Sequence, residues 1–256
     1  MAHGPQLYAR RQTCDHADMA PRPTLTRALP MMLTALLGVG STHAPLVAGP
    51  TPSGDARQQA AGHHEMHQRH GDPKAYAAAL DDPRRDAYQK PDDVVAALGL
   101  REGQVVADIG AGTGYFAVRL AKAVGASGRV YAVDVSADMA QHLNRRLRDA
   151  NISNVASVLA PPDDPLLRPA SVDLVFICDV WHHVEQQEAY LSHLRRALKP
   201  GGRLVMIDFH KRDLPVGPPV EMKIARDDLV RQVEGAGWTL VQEHDILPYQ
   251  YFLEFR

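Results

Sequence analysis

The sequence predicts an α/β fold, a doubly wound sheet with helices on both faces, and three observations carry that expectation. Val105-Val106-Ala107-Asp108-Ile109 is an apolar run closing on an acid, and it leads through Gly110-Ala111-Gly112-Thr113-Gly114 into a helical stripe. Arg129-Val130-Tyr131-Ala132-Val133-Asp134 repeats the pattern of an apolar strand ending in an acid. Asp173-Leu174-Val175-Phe176-Ile177-Cys178-Asp179 is apolar almost throughout, as a central parallel strand buried on both faces must be. Strand, glycine turn and helix in succession are the unit from which such sheets are wound.

The chain has 256 residues, 45% of them hydrophobic and 23% charged, which fits one sizeable globular domain with extensions. A net charge of −2 gives no basic footprint for nucleic acid. Cys14 and Cys178 cannot build a disulfide framework, and neither has metal-site spacing. Residues 1–50 place arginines ahead of a short apolar run, Leu29 to Val39, with small residues after it. That order is the pattern of a secretory signal, so an exported or periplasmic protein is expected, with initiation at Met19 giving a signal of ordinary length. A cytoplasmic or membrane-anchored protein, touching the membrane transiently through this segment, is the alternative. Residues 51–74 read as a disordered linker containing His63, His64, His67 and His70, four imidazoles that share one face if the stretch is helical. Weak metal binding there competes with plain solvation of a polar tract.

The remaining elements follow in order over residues 75–256. Lys74 to Leu80 and Asp92 to Leu98 read as short helices. After the glycine turn, Phe116, Leu120 and Val124 recur every fourth residue as a core-facing stripe. Ser136 is a candidate N-cap for a helix carrying Met139 and Leu143, and a short strand spans Ala156 to Ala160. A helix from Gln186 to Leu198 stops at Lys199-Pro200-Gly201-Gly202, before a strand from Leu204 to Phe209. A helix from Asp227 to Ala236 and strands from Trp238 to His244 and Gln250 to Phe255 complete the chain.

The glycine spacing narrows the ligand. Dinucleotide-binding turns carry G-x-G-x-x-G, but here Gly114 comes one residue early and Tyr115 takes the expected place. A P-loop would need Gly-Lys-Ser/Thr at the helix start, which is absent. The early third glycine resembles the first motif of the class I S-adenosylmethionine (SAM) methyltransferases. Val180-Trp181-His182-His183-Val184 resembles the segment after the fourth strand in methyltransferases of ubiquinone and menaquinone biosynthesis, and Leu198-Lys199-Pro200-Gly201-Gly202-Arg203-Leu204 is a frequent phrase of the same superfamily. The resemblance implies a Rossmann-like sheet of seven strands, mostly parallel with the last strand antiparallel. It also implies SAM as cofactor and methyl transfer by direct displacement to a small-molecule acceptor.

Site expectations follow. Gly110, Gly112 and Gly114, with Ala111, are expected to admit the methionine part of SAM, and Asp108 to bind its amino group. Asp134, with Val135 beside it, stands where a strand-end acid accepts from ribose hydroxyls. Where the resemblance expects an acidic pair for adenine, the chain has Pro161-Pro162; Asp163 or Asp164 takes over, or both acids merely solvate a loop. Tyr88 lies in a polar stretch, Asp81 to Pro91, that reads either as a lid over the nucleoside or as helix packing. Asp179, His182 and His183 are the catalytic candidates, with Trp181 on the pocket wall and one histidine of the pair structural. His210 and Lys211 are second-rank substrate contacts, and the proline-rich loop from Asp213 to Met222 is expected to cover the substrate.

Two other functions stay open at this point. One is a nicotinamide-dependent oxidoreductase, against which the glycine spacing argues and which thermal protection by NADH would reveal. The other is an exported, non-catalytic protein that binds SAM or a metal. Deleting residues 63–70 would abolish metal binding in such a carrier and spare methylation in an enzyme.

Overall fold

The computed structural model describes residues 72–256. The signal-like segment, the linker and the histidine tract lie outside the described residues. The described chain opens with helix α1 (Pro73–Leu80), a 3-10 turn (Pro83–Arg85), α2 (Asp86–Gln89) and α3 (Pro91–Ala97). Then come β1 (Val105–Ile109), α4 (Ala117–Val124), β2 (Arg129–Asp134), α5 (Ala137–Asp149), β3 (Val155–Leu159), β4 (Val172–Cys178) and a 3-10 turn (Trp181–His183). The last elements are α6 (Gln187–Ala197), β5 (Leu198–Phe209), a 3-10 turn (Val220–Met222), α7 (Arg226–Gly235), β6 (Leu240–Glu243) and β7 (Gln250–Phe255).

The seven strands form one sheet in the order β3-β2-β1-β4-β5-β7-β6. Pairs β1–β2, β2–β3, β1–β4 and β4–β5 are parallel; β7 runs antiparallel to β5 and β6. The doubly wound expectation, with an antiparallel last strand, therefore holds. Strand alternation splits the core in two. Leu174 and Phe176 of β4 join Leu120 and Val124 of α4 and Leu143 and Leu147 of α5 on one face. Val175 and Ile177 join Leu191 and Leu194 of α6 and Leu229 and Val233 of α7 on the other. Each of these side chains is nearly sealed from solvent, and burying one contributes roughly 1.5–3 kcal/mol.

Local chemistry sets the element ends. Asp72 caps α1 by accepting from the N–H groups of Lys74 and Ala75, and Ser136 caps α5 by accepting from Met139 at 3.3 Å. Lys199-Pro200-Gly201-Gly202 ends α6 as expected, yet it belongs to β5 rather than to a separate loop. Val172 pairs with Leu198 and Leu174 with Arg203, so the phrase is an irregular bulge inside the strand.

The segment before β1 is pinned to the glycine turn. The Asp81 carboxylate accepts from Thr113 Oγ1 at 2.7 Å and from Arg146 at 3.0 Å, and lies 3.0 Å from His142 Nε2. One acid thus joins the end of α1, the turn after β1 and helix α5.

Candidate active site

A cavity of about 480 Å³ opens at the carboxyl ends of β1, β2, β4 and β5. This is where the strand order reverses between β1 and β4, the crevice in which doubly wound sheets bind ligands. Its floor is the turn after β1. Gly110 and Ala111 donate their N–H groups to the carbonyl of Val133, at 2.8 and 3.0 Å, folding the turn back onto β2. Gly110 has φ +70°, and a Cβ there would stand 2.3 Å from Val180 Cγ2. Gly112, at φ +54°, would meet Leu80 of α1 at 3.0 Å. Both line the cavity, as expected for residues that let a ligand approach the backbone. Gly114 does not line it. At φ +84°, its missing Cβ would fall 2.4 Å from Leu143 Cδ1, so this glycine serves the close approach of α5.

Two acids stand in this part of the cavity. Asp134 Oδ2 accepts from the Gly112 N–H at 2.7 Å and Oδ1 from the Ser136 N–H at 2.8 Å. Burial pushes its carboxyl above the usual range, while the N–H groups of Ser136, Gly112 and Val135 pull the other way. Val135, 63% exposed, turns an apolar face to the opening. Asp108 is only 4% exposed, and its Oδ2 has no hydrogen-bond partner among the described residues. Burial, reinforced by the charge of Asp134, pushes Asp108 up to about 8, against a lowering contribution from the Ala117 N–H at the start of α4. The opposite wall is Ala160, Pro161 and Pro162. Asp163 is not on the lining, and Asp164 caps its own loop by accepting from Leu166 N at 2.8 Å. The prolines form the wall, Asp163 is exposed, and Asp164 Oδ2 lies 3.8 Å from His193 Nδ1.

The N-terminal segment closes one side with Pro73, Tyr76, Leu80, Arg85 and Tyr88. Arg85 lies 4.2 Å over the Tyr115 ring and donates to the Leu80 carbonyl at 2.6 Å. Tyr115 in turn donates a short hydrogen bond to Asp86. Tyr88 follows the packing reading of its stretch rather than that of a lid over the nucleoside. It lines the cavity, and it is buried with Phe209 and Val216, its ring 6.2 Å from Phe209 and 6.3 Å from Tyr249. That places it at the β5 end, away from Asp134. Gly217 and Pro218 bring the proline-rich loop onto the same end.

Asp179, His182 and His183 all line the cavity beyond β4. Asp179 takes a left-handed backbone, φ +58°, and its Oδ1 accepts from Gln250 Nε2 at 2.6 Å. Burial and the neighbouring Asp208 raise its carboxyl; Arg85 and Gln250 oppose them. His182 Nδ1 lies 3.0 Å from Asp208 Oδ2 and 3.2 Å from Oδ1. Burial disfavours the imidazolium, but Asp208, with help from Asp179, holds this histidine above its ordinary value. The His182 and His183 rings are 4.2 Å apart. Trp181 is not on the cavity wall: it is 1% exposed, in the core under α6 and α7, donating to Gln232 at 3.2 Å. The 3-10 turn rotates successive side chains by about a third of a turn, so Trp181 and the histidines cannot share a direction. His210 and Lys211 also lie off the lining, beyond the end of β5.

Arg85, Tyr76, Asp208 and Gln250 escaped the sequence reading. Asp208 carried a usable signal: like Asp108 and Asp134 it is an acid closing an apolar strand, and such strand ends meet at one edge of the sheet. Among the described residues, no group of three histidines, cysteines or acids is placed to hold a metal ion.

Comparison with known proteins gives a consistent result. A family profile described as a methyltransferase domain matches residues 106–202. A ubiquinone/menaquinone biosynthesis C-methyltransferase from Haemophilus ducreyi is 31% identical over 123 residues, 48% of this chain and 46% of that protein. Its counterpart from Psychromonas ingrahamii is 33% identical over 112 residues, 43% of this chain and 45% of that protein. The matched region thus spans less than half the length of these curated relatives. A SAM-dependent methyltransferase from Aquifex aeolicus superposes with a TM-score of 0.69 at 29% identity, covering 72% of this chain and 97% of that one. The [4+2]-cyclase SpnF, at 20% identity and a TM-score of 0.52 over 61% of this chain and 59% of that one, shares the fold.

Proposed function

The chain carries a class I SAM-dependent methyltransferase domain, and on that premise we propose that it methylates a flat, largely apolar small molecule held between Tyr88, Phe209 and the 213–222 loop. One observation carries the reading. The cavity has an ionisable carboxyl at Asp108 whose Oδ2 has no hydrogen-bond partner among the described residues, a second carboxylate locked to the glycine turn at Asp134, and a separate aromatic end at Tyr88 and Phe209. SAM fits that division, with an ammonium for Asp108, ribose hydroxyls for Asp134 and an adenine for the apolar face of Val135 and the Ala160–Pro162 wall. When bound, SAM supplies a methyl group already activated on a sulfonium.

The chain's own work is positioning and proton handling. Gly110, Ala111 and Gly112 let the backbone lie against the cofactor. Asp134, fixed by two backbone N–H groups, presents preoriented lone pairs. Tyr76 and Leu80 of α1 exclude water from the cofactor end, and Tyr88 and Phe209 do so at the acceptor end. Asp179, His182 and His183 stand at that acceptor end, and Arg85 offsets the carboxylates gathered there. The relatives are named as C-methyltransferases of ubiquinone and menaquinone biosynthesis.

Titration of the full chain with SAM tests the reading. Bound at a hundredfold excess over Kd, SAM should stabilise the fold by about 2.7 kcal/mol, with S-adenosylhomocysteine also protecting and NADH not. A folded protein that shows no shift with SAM would remove the proposal.

A further inference from the structure

We propose that Asp208 is a positioning residue that holds His182 as the base receiving the acceptor's proton, so that the acceptor is a neutral molecule arriving with a hydrogen on the atom to be methylated. The inference rests on the methyltransferase reading and deepens it.

The geometry is that of a base oriented by a third group. The Asp208 side chain is 1% exposed and that of His182 2%. Asp208 is itself anchored, since its Oδ1 accepts from the Phe209 N–H at 2.8 Å, and it pairs with Tyr251 of β7 one residue beyond the last β4–β5 pair. With its carboxylate facing Nδ1 at 3.0 Å, Asp208 selects the tautomer that carries hydrogen on Nδ1. Nε2 is then the ring nitrogen that takes a proton, on a ring that lines the cavity. The second nearby carboxyl, Asp179, is already engaged, its Oδ1 accepting from Gln250 at 2.6 Å.

The step balances within the site. The acceptor's bond to hydrogen breaks, its electron pair stays on the acceptor atom, and the proton goes to Nε2. The imidazolium so formed is matched by Asp208, and its proton returns to solvent after turnover. The groups facing the pair are Asp179 and Cys178 at the end of β4, Tyr251 from β7 and Lys223 from the loop before α7, with Arg85 from the N-terminal segment set against Asp179 and Cys178. Around the pair stand one further carboxylate, Asp179, and two cations, and the direct contact with Asp208 is the largest influence that raises His182. A pocket so arranged suits an acceptor that must lose a proton, rather than one that is already an anion.

The test is nitrogen-15 spectroscopy of the full chain with labelled histidine, bound to S-adenosylhomocysteine, with His182 identified by its loss in His182→Gln. The expected wild-type signature is a neutral ring protonated on Nδ1 that titrates above the ordinary value of about 6.5. Asp208→Asn should lose the tautomer preference and lower the titration point by about one unit or more, leaving SAM affinity within about threefold. A neutral ring protonated on Nε2, or one titrating below the ordinary value, overturns the proposal. The wild-type spectrum decides this by itself even where Asp208→Asn does not fold. Failure of SAM to bind would strike the methyltransferase reading instead, and the tautomer result would stand apart from it.

Discussion

Raising the pH from 6 to 8 should tighten SAM binding about fiftyfold, and replacing Asp108 by asparagine should remove that dependence. The argument starts from a carboxyl that burial lifts to about 8 and whose Oδ2 has no partner among the described residues. At pH 7 such a group is about nine-tenths protonated. An ammonium placed against it favours the ionised form, so binding at pH 7 should expel about 0.9 proton per SAM. Affinity then rises by up to tenfold per pH unit below 8 and flattens above it. The unliganded fold shows the reverse sign. It holds the Asp108 proton more tightly than the unfolded chain does, so this group's stabilisation is complete below about 4 and is lost as pH rises through about 8. Calorimetry in two buffers of different ionisation enthalpy reads the proton count directly. Asp108→Asn should bind SAM about ten- to a hundredfold more weakly at pH 8, through loss of a charge-assisted bond, and should release no proton. A wild-type affinity that stays flat from pH 6 to 8 with no proton released would refute the placement of the ammonium at Asp108.

Other perturbations follow from the same geometry. Asp134→Ala should weaken SAM binding by about tenfold or more, because it also deprives the Gly112 and Ser136 N–H groups of their acceptor; titration calorimetry reads this, and unchanged affinity counts against the ribose role. Gly114→Ala combines a left-handed backbone with a 2.4 Å approach to Leu143 Cδ1 and should cost about 2–4 kcal/mol in denaturant unfolding. A wild-type midpoint in that variant would mean that α5 yields freely. Asp81→Ala removes the bonds to Thr113 Oγ1 and Arg146 and should destabilise the fold by about 1–2 kcal/mol and speed SAM dissociation; stopped-flow release at the wild-type rate would show that α1 does not retain the ligand.

The sheet was legible because its parallel strands are buried on both faces and so must be apolar throughout. Val105–Ile109 and Val172–Cys178 could scarcely be anything else. The strand-end acids were legible for a related reason: an acid ends an apolar run only where the strand leaves the core. That rule found Asp108 and Asp134 and, applied once more, finds Asp208. Other features depend on facts outside the local sequence. Gly114 looks like a cradle residue until Leu143, 29 positions later, is found against it. Trp181 and His182 are adjacent in sequence and enter different environments, because a 3-10 helix turns successive side chains by about a third of a turn. Displacement from a family pattern points to Asp163, but Pro161 and Pro162 occupy the wall and Asp163 lies off it.

The chain enters the described fold through the same helix that covers the cofactor end of the cavity. Residues 1–71 precede Asp72, and the cap on Lys74 and Ala75, the Arg85 bond to the Leu80 carbonyl and the joint at Asp81 lie between that junction and the glycine turn. Tension applied upstream therefore acts on the door and not on the frame. Tethering the chain ahead of residue 72, to a bead, a surface or a fusion partner, loads α1 and the bonds of Asp81, whereas a tether beyond Phe255 loads β7 inside the sheet. Ends that look interchangeable in an expression vector are mechanically unequal in this molecule.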